Sequence, residues 1–301
     1  MGRPSHIMPL HGSLVETLSE RLSDHLGRPV DIEQADGVGG GSINDAWLLH
    51  TEEGPFFLKT NNADRFPSLF EAEADGLERL RAAKAIRVPQ VIAYGEDHDT
   101  TYLLLEHVER SLQSAAFWST FGMQLAQLHR STDKQFGLER DNYIGNLKQG
   151  NTQRSSWSEF FVQQRLEPQL KLARDGRKVD AAMPFRFERL FHQLDRLFPK
   201  EAPALLHGDL WSGNFVCDRT GSPVVFDPAV YYGHREMDLA MSRLFGGFDP
   251  AFYTSYQEAF PLEAGWEERV DLCNLYPLLV HVNLFGGGYV AQVEAILARF
   301  S

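Results

Sequence analysis

One stretch constrains the fold of this chain more than any other: Leu205-Leu206-His207-Gly208-Asp209-Leu210-Trp211-Ser212-Gly213-Asn214-Phe215, followed by Pro223-Val224-Val225-Phe226-Asp227-Pro228. Apolar Phe215-Val216-Cys217, turn-forming Asp218-Arg219-Thr220-Gly221-Ser222 and apolar Pro223-Val224-Val225-Phe226 together spell a β-hairpin. Such a hairpin puts Asn214 and Asp227 at its open end. An amide oxygen and a carboxylate side by side make a hard-oxygen site suited to Mg²⁺, one that leaves positions for water and phosphate. Asp209, on the preceding loop, reaches the same point.

Phosphoryl transfer asks for this arrangement, because it needs little covalent chemistry and much positioning: a carboxylate orients the attacking hydroxyl while bound cations neutralise the phosphates. His207-Gly208-Asp209 with Asn214 has the form of a kinase catalytic loop, with Gly where protein kinases carry Arg. Without that Arg, an activation-loop phosphate lacks its usual partner. The departure points to a small-molecule kinase.

The remaining composition narrows the class. At 301 residues with 43% hydrophobic side chains, the chain has material for two modest domains with packed cores. A net charge of −12 argues against nucleic acid and against an anionic membrane surface. Cationic substrates stay compatible with it. Cys217 and Cys273 stand apart without metal-ligand spacing, so a reduced cytoplasmic setting is expected, with no disulfide framework or zinc site. No apolar run of membrane-spanning length and no export signal pattern is visible.

Taken from the start, Ser13-Leu14-Val15-Glu16 reads as a capping box, and Leu14, Leu18, Leu22 and Leu26 line one face of a helix that Gly27 stops. Residues 30–35 read as a strand, and Gly39-Gly40-Gly41-Ser42 forms a turn before the apolar stretch 46–50; its N–H groups can close over phosphates. A third strand, Phe56-Phe57-Leu58-Lys59-Thr60, ends in a Lys that interrupts an apolar run. Residues 70–80 are helical by the spacing of Phe70, Leu77 and Leu80, and supply carboxylates for that Lys. Glu73, four before Leu77, is the choice, with Glu71 in reserve. Residues 88–95 and 101–106 read as two more strands, after which Glu106-His107-Val108 occupies the place of an adenine-binding hinge.

From Ser111 the composition turns helical, and His129 reads as a satisfied core histidine. The polar stretch 146–156 is too long for a plain connector and suggests a substrate rim; a helix resumes over 157–172. Asp238 is expected to cap the following helix, holding the catalytic loop being the other role open to it. His234 and Glu236 are placed on the acceptor side. Residues 252–260 and 266–300 look helical, interrupted by Gly286-Gly287-Gly288, which lack the preceding strand of a dinucleotide fingerprint.

Several stretches together resemble the fructosamine kinase (ketosamine 3-kinase) family: Gly39-Gly40-Gly41-Ser42-Ile43-Asn44, Phe57-Leu58-Lys59-Thr60-Asn61, Asp141-Asn142-Tyr143-Ile144-Gly145, the catalytic stretch from His207, Asp227-Pro228-Ala229, residues 231–240 and Leu284-Phe285-Gly286-Gly287-Gly288-Tyr289. That family is related to aminoglycoside phosphotransferases and choline kinases. The resemblance implies an α+β, protein-kinase-like bilobal fold, with a small β-rich N-lobe over residues 1–108 and a larger helical C-lobe over 109–301. It implies ATP- and Mg²⁺-dependent phosphorylation of the 3-hydroxyl of free or protein-bound ketoamines, after which the adduct breaks down, a deglycation repair step. Carried over by residue, Asp209 accepts the hydroxyl proton, Asn214 and Asp227 bind Mg²⁺, and Lys59 with Glu73 holds the phosphates. Gly39, Gly40, Gly41 and Ser42 cover those phosphates, and Glu106, His107 and Val108 bind adenine. An aminoglycoside or choline-type phosphotransferase is the alternative enzyme, and a catalytically silent ATP-binding module the alternative of another class.

Overall fold

The computed structural model describes residues 10–39 and 44–300. Gly40, Gly41 and Ser42 of the expected phosphate-covering turn lie outside the described residues. The element order is α1 (Gly12–Leu26), β1 (Gln34–Val38), β2 (Asp45–Thr51), β3 (Gly54–Asn62), α2 (Leu69–Ala82), β4 (Val91–Asp97) and β5 (Thr100–Glu106), then a mainly helical remainder. Strands β1 to β5 form an antiparallel sheet in the order β1-β2-β3-β5-β4.

Period-two alternation decides what each face of this sheet covers. Tyr102 and Leu104 of β5 point into a cluster with Leu14, Leu18 and Leu22 of α1. Leu103 and Leu105 point the other way, onto Phe70, Leu77 and Leu80 of α2. The opening helix differs from the sequence reading at its start: it begins at Gly12, no side chain caps it, and the Ser13 hydroxyl donates to Asp97 Oδ2 at 2.9 Å. A tertiary acceptor on β4 thus takes the hydroxyl expected to cap. Gly27 ends the helix in the left-handed conformation at φ 69°, as its sequence signal implies. The first strand is displaced toward the C-terminus: Val30 is spent on the core under α1, with its N–H bonded to Ser23 Oγ, and pairing starts at Gln34.

The C-lobe runs α3 (Phe117–Leu128), β6 (Asn142–Ile144), β7 (Leu147–Gln149), α4 (Trp157–Phe160), a π-helical segment (Phe161–Leu166), α5 (Glu167–Asp175), α6 (Met183–Phe191), α7 (Leu194–Leu197) and β8 (Ala204–Leu206). It ends with β9 (Phe215–Cys217), β10 (Pro223–Val225), β11 (Tyr231–Gly233), α8 (Glu236–Leu244), α9 (Pro250–Ala259), α10 (Trp266–Phe285) and α11 (Tyr289–Arg299). Two readings change here. Residues 111–116 are not helical, because Ser111 N–H bonds Cys217 O at 2.8 Å and Arg110 bridges Asp218, tying this segment to the β9 edge. The polar stretch 146–156 contains β7, which pairs back on β6 around Gly145 at φ 60°.

The two lobes share one core. Leu103 and Leu105 of the sheet, Phe117 and Phe121 of α3, Leu210, Val225 and Val230 of the catalytic region, and Phe252 of α9 belong to the same buried cluster. Leu103→Ala should therefore lower stability by about 2–5 kcal/mol. In urea, fluorescence and far-UV signals of the variant should still move together; separate transitions for sheet and helices would contradict a shared core.

Candidate active site

The hairpin read from sequence forms with Phe215 opposite Val225 and Cys217 opposite Pro223. Beyond its open end, Phe226 N–H bonds the Asn214 carbonyl at 3.1 Å, which sets Asn214 beside the turn carrying Asp227. Asn214 Nδ2 donates to the Asp209 carbonyl at 2.9 Å and to Asp209 Oδ2 at 3.0 Å. With the amide nitrogen so engaged, the amide oxygen is the atom left for a cation.

Lys59 reaches this centre from β3. Its ammonium donates to Glu73 Oε1 at 2.6 Å and to Asp227 Oδ1. Glu73 is thus the helix carboxylate that meets Lys59, while Glu71 pairs with Arg140. Burial alone would lower the Lys59 pKa, but Asp227 and Glu73 more than offset it and hold the group protonated. Burial pushes the Glu73 carboxyl up, opposed by Lys59.

The catalytic loop is shaped by a group whose expected role changes. Asp238 sits in the first turn of α8, but its Oδ2 accepts the His207 N–H at 2.7 Å and its Oδ1 the Gly208 N–H at 2.9 Å. Capping and loop-holding call for the same residue type, and the buried N–H groups of the loop take the carboxylate. His129 Nε2–H donates to it at 3.2 Å, while His129 Nδ1 meets the Tyr256 hydroxyl at 2.8 Å, so His129 is a satisfied core histidine. Burial opposes ionisation of Asp238, and these donors outweigh it, holding its carboxyl below the ordinary range. Gly208 lies at φ 83°, and a Cβ there would stand 2.1 Å from the Ala229 carbonyl, so Arg cannot take the kinase position in this loop. His207 Nδ1 accepts the Asp209 N–H at 3.2 Å and its Nε2–H donates to Phe226 O at 3.0 Å, which ties loop and hairpin together and specifies the tautomer.

Asp209 is pushed up to about 7, by burial first and then by the Asp227 charge, with the Asn214 hydrogen bond opposing. It opens onto a recess lined by Tyr231, Met241, Tyr276, Pro277, Val280 and His281, mainly from α8 and α10. No sequence signal marked the α10 residues. His234 and Glu236 are not on the acceptor side: His234 is fully buried against Trp157 and Phe198, and Glu236 pairs with Arg269 at 2.6 and 2.8 Å. At the hinge, the Glu106 side chain pairs with Arg87 and accepts the Gln90 N–H at 3.1 Å, so it braces the crossing. Burial lowers the pKa of His107, which follows it.

Comparisons with known proteins give the family and the fold. The fructosamine kinase family profile matches residues 14–300. This chain belongs to the fructosamine kinase family. A Synechocystis relative named as a probable ketoamine kinase is 42% identical over 288 residues, covering 94% of this chain and 96% of its own. The chloroplastic protein-ribulosamine 3-kinase of Arabidopsis thaliana is 42% identical over 276 residues, covering 90% and 83%. Among solved structures, a provisionally named fructosamine-3-kinase from Thermobifida fusca superposes with a TM-score of 0.85 at 35% identity, covering 95% of this chain and 99% of that one. Aminoglycoside phosphotransferase APH(4)-Ia, solved with AMP-PNP and hygromycin B, superposes with a TM-score of 0.61 at 17% identity and shares the fold. The fold of this family member is thus protein-kinase-like.

Two outcomes test the site. Asp238→Ala strands buried N–H donors and should cost about 2–4 kcal/mol in urea unfolding, with Asp238→Asn recovering part. The second concerns pH. Native Asp209 holds its proton more tightly than an unfolded Asp, so the folded state loses stability as pH rises from the ordinary carboxylate range to about 7. Asp209→Asn should accordingly be more stable than wild type at pH 8, by about 1–3 kcal/mol, and the gain should shrink toward pH 4. Equal Tm differences at both pH values would remove the raised pKa.

Proposed function

We propose that this fructosamine kinase family member transfers the γ-phosphoryl group of ATP to a sugar hydroxyl, the 3-hydroxyl of a ketosamine. The observation that carries the reading is the convergence of Lys59, Glu73 and Asp227 on one side with Asp209 and Asn214 on the other, in a chain whose relatives are named for ketoamine and ribulosamine kinases. Asp209 takes the proton of the attacking hydroxyl, and its raised pKa makes it a competent base near neutral pH. Asn214 orients Asp209, Lys59 holds the phosphates, and Glu73 orients Lys59. The N-lobe, residues 1–108, carries the nucleotide, with Gly39 opening the turn over the phosphates and the Glu106-His107-Val108 backbone meeting adenine; residues 109–301 carry chemistry and acceptor.

The donor set suits Mg²⁺. Asp209 and Asp227 are close enough for one to raise the pKa of the other, and Asp227 draws in the Lys59 ammonium, so the centre favours added positive charge. Asn214 Oδ1 and the Asp227 carboxylate would hold the ion, which when bound neutralises developing phosphate charge.

The acceptor hydroxyl would approach Asp209 beside the recess, where Met241, Tyr276, Pro277 and Val280 supply an apolar wall. The phosphorylated ketosamine is unstable, so the reaction releases the amine and serves deglycation, in the reducing cytoplasm that suits the free, buried Cys217 and Cys273.

³¹P NMR with ATP, Mg²⁺ and a ribulose- or fructose-derived lysine ketoamine should give a sugar-phosphate resonance. Asp209→Asn should lower kcat by about 10²–10⁴-fold with ATP affinity nearly intact. Phosphorylation of kanamycin or choline in place of either ketoamine would overturn the acceptor class, and unchanged turnover in the variant would overturn the base.

A further inference from the structure

Behind the acceptor recess lies a cation that the reading above does not use. Arg165 rises from the π-helical segment Phe161–Leu166, a departure from the α-ladder often found at functional sites, and is completely buried. Its guanidinium lies 3.9 Å from the ring centroid of Tyr231, 4.6 Å from Phe160 and 5.4 Å from Tyr276. It donates to Gly150 O at 2.6 Å, Gln164 O at 3.0 Å and Asn151 Oδ1 at 2.7 Å. Among the described residues no carboxylate is in salt-bridge reach of it, so aromatic faces and neutral oxygens carry a fully desolvated charge. A buried cation without a counter-ion is costly to keep for packing alone.

The bonds lead from Arg165 to the catalytic centre. Asn151 Nδ2 donates to Asn142 Oδ1 at 2.9 Å, and Gln149 Nε2 donates to the same oxygen at 2.8 Å. Asn142 Nδ2 then holds the Val230 carbonyl at 2.8 Å, and Gln149 Nε2 holds the Ala229 carbonyl at 3.1 Å. The Tyr276 hydroxyl closes the set by donating to Gln149 Oε1 at 2.5 Å. Ala229 is the segment on which Gly208 packs, and its N–H bonds the His207 carbonyl at 2.9 Å. Through this network one guanidinium fixes the turn that follows Asp227, the backbone beside Asp209, and the Tyr231 and Tyr276 rings facing the recess.

We propose that Arg165 is a positioning residue for phosphoryl transfer, holding the Asp227–Val230 turn and the Tyr231–Tyr276 floor in register with Asp209 through Asn151, Asn142 and Gln149. It touches neither nucleotide nor acceptor. Because ATP is gripped mainly from the N-lobe, loss of this register appears in the chemical step.

This inference rests on the phosphotransfer reading, and the experiment separates the two. Wild type, Arg165→Met and Tyr276→Phe are compared for kcat, KM for ATP and KM for the ketoamine, each normalised to folded protein from its Tm. Methionine keeps the volume but strands Gly150 O and Asn151 Oδ1; Tyr276→Phe keeps the ring on Arg165 and removes only the bond to Gln149. Arg165→Met should lower kcat by about 10–100-fold with KM for ATP within about threefold of wild type. Tyr276→Phe should shift kcat in the same direction by about 3–10-fold with a modestly lowered Tm, since the buried Gln149 Oε1 loses its donor. If Arg165→Met does not fold, Tyr276→Phe decides. A folded Arg165→Met or Tyr276→Phe with wild-type kcat overturns the proposal, as does a loss that merely follows the unfolded fraction. If wild type turns over no ketoamine, the acceptor assignment fails, and the Arg165 inference is read from the same kcat comparison on Mg²⁺-dependent ATP hydrolysis.

Discussion

Everything in the catalytic centre depends on one buried carboxylate accepting backbone hydrogen bonds. Asp238 takes the N–H groups of His207 and Gly208 in a region closed to water, where each would otherwise be a costly orphan. With those groups fixed, the loop has one conformation, Gly208 can lie against Ala229, and His207 can bridge to Phe226. Asp209 and Asn214 are aimed by the same loop, and Asn214 Nδ2 ties the two together. His129 and Tyr256 extend the bonding outward, so the hold on the loop is anchored in α3 and α9.

Charge is treated differently on the two sides of that loop. On the nucleotide side, Lys59 is surrounded by carboxylates and stays protonated, a pairing that ATP phosphates can take over in part. On the acceptor side, burial first and then the Asp227 charge make Asp209 hold a proton up to near-neutral pH, against the opposing hydrogen bond from the Asn214 amide. A positive charge entering between Asn214 and Asp227 would lower that pKa, coupling proton acceptance to arrival of the metal-bound nucleotide.

What could be read from the chain follows from locality. Asp209, Asn214 and Asp227 stood out because polar residues interrupt apolar runs at hairpin spacing, and Glu73 because a helix places it one turn from Leu77 toward Lys59. Local signals failed where a distant partner decided the outcome. Ser13 is drawn off by Asp97, and residues 111–116 by the β9 edge. Gln149 and Tyr276 join across 127 positions, which no periodicity encodes. The wall formed by α10 is hidden for another reason: that helix is buried on most sides over 272–283, so no amphipathic stripe singles out the face turned to the recess.

The aromatic packing behind the hairpin divides the molecule into parts that can and cannot change. Phe215, the residue after Asn214, sits against Phe117, Trp118 and Phe121 of α3 and against Phe248 just before α9. Any alteration of this edge of the hairpin must therefore repack the aromatic residues around it. Met241 and Val280 border the recess from α8 and α10 without carrying the loop. A lineage that needed another acceptor could vary that wall by single steps while phosphoryl transfer stayed intact. The same scaffold can in this way serve different hydroxyl compounds, with the α8–α10 side as the ground on which their selection is made.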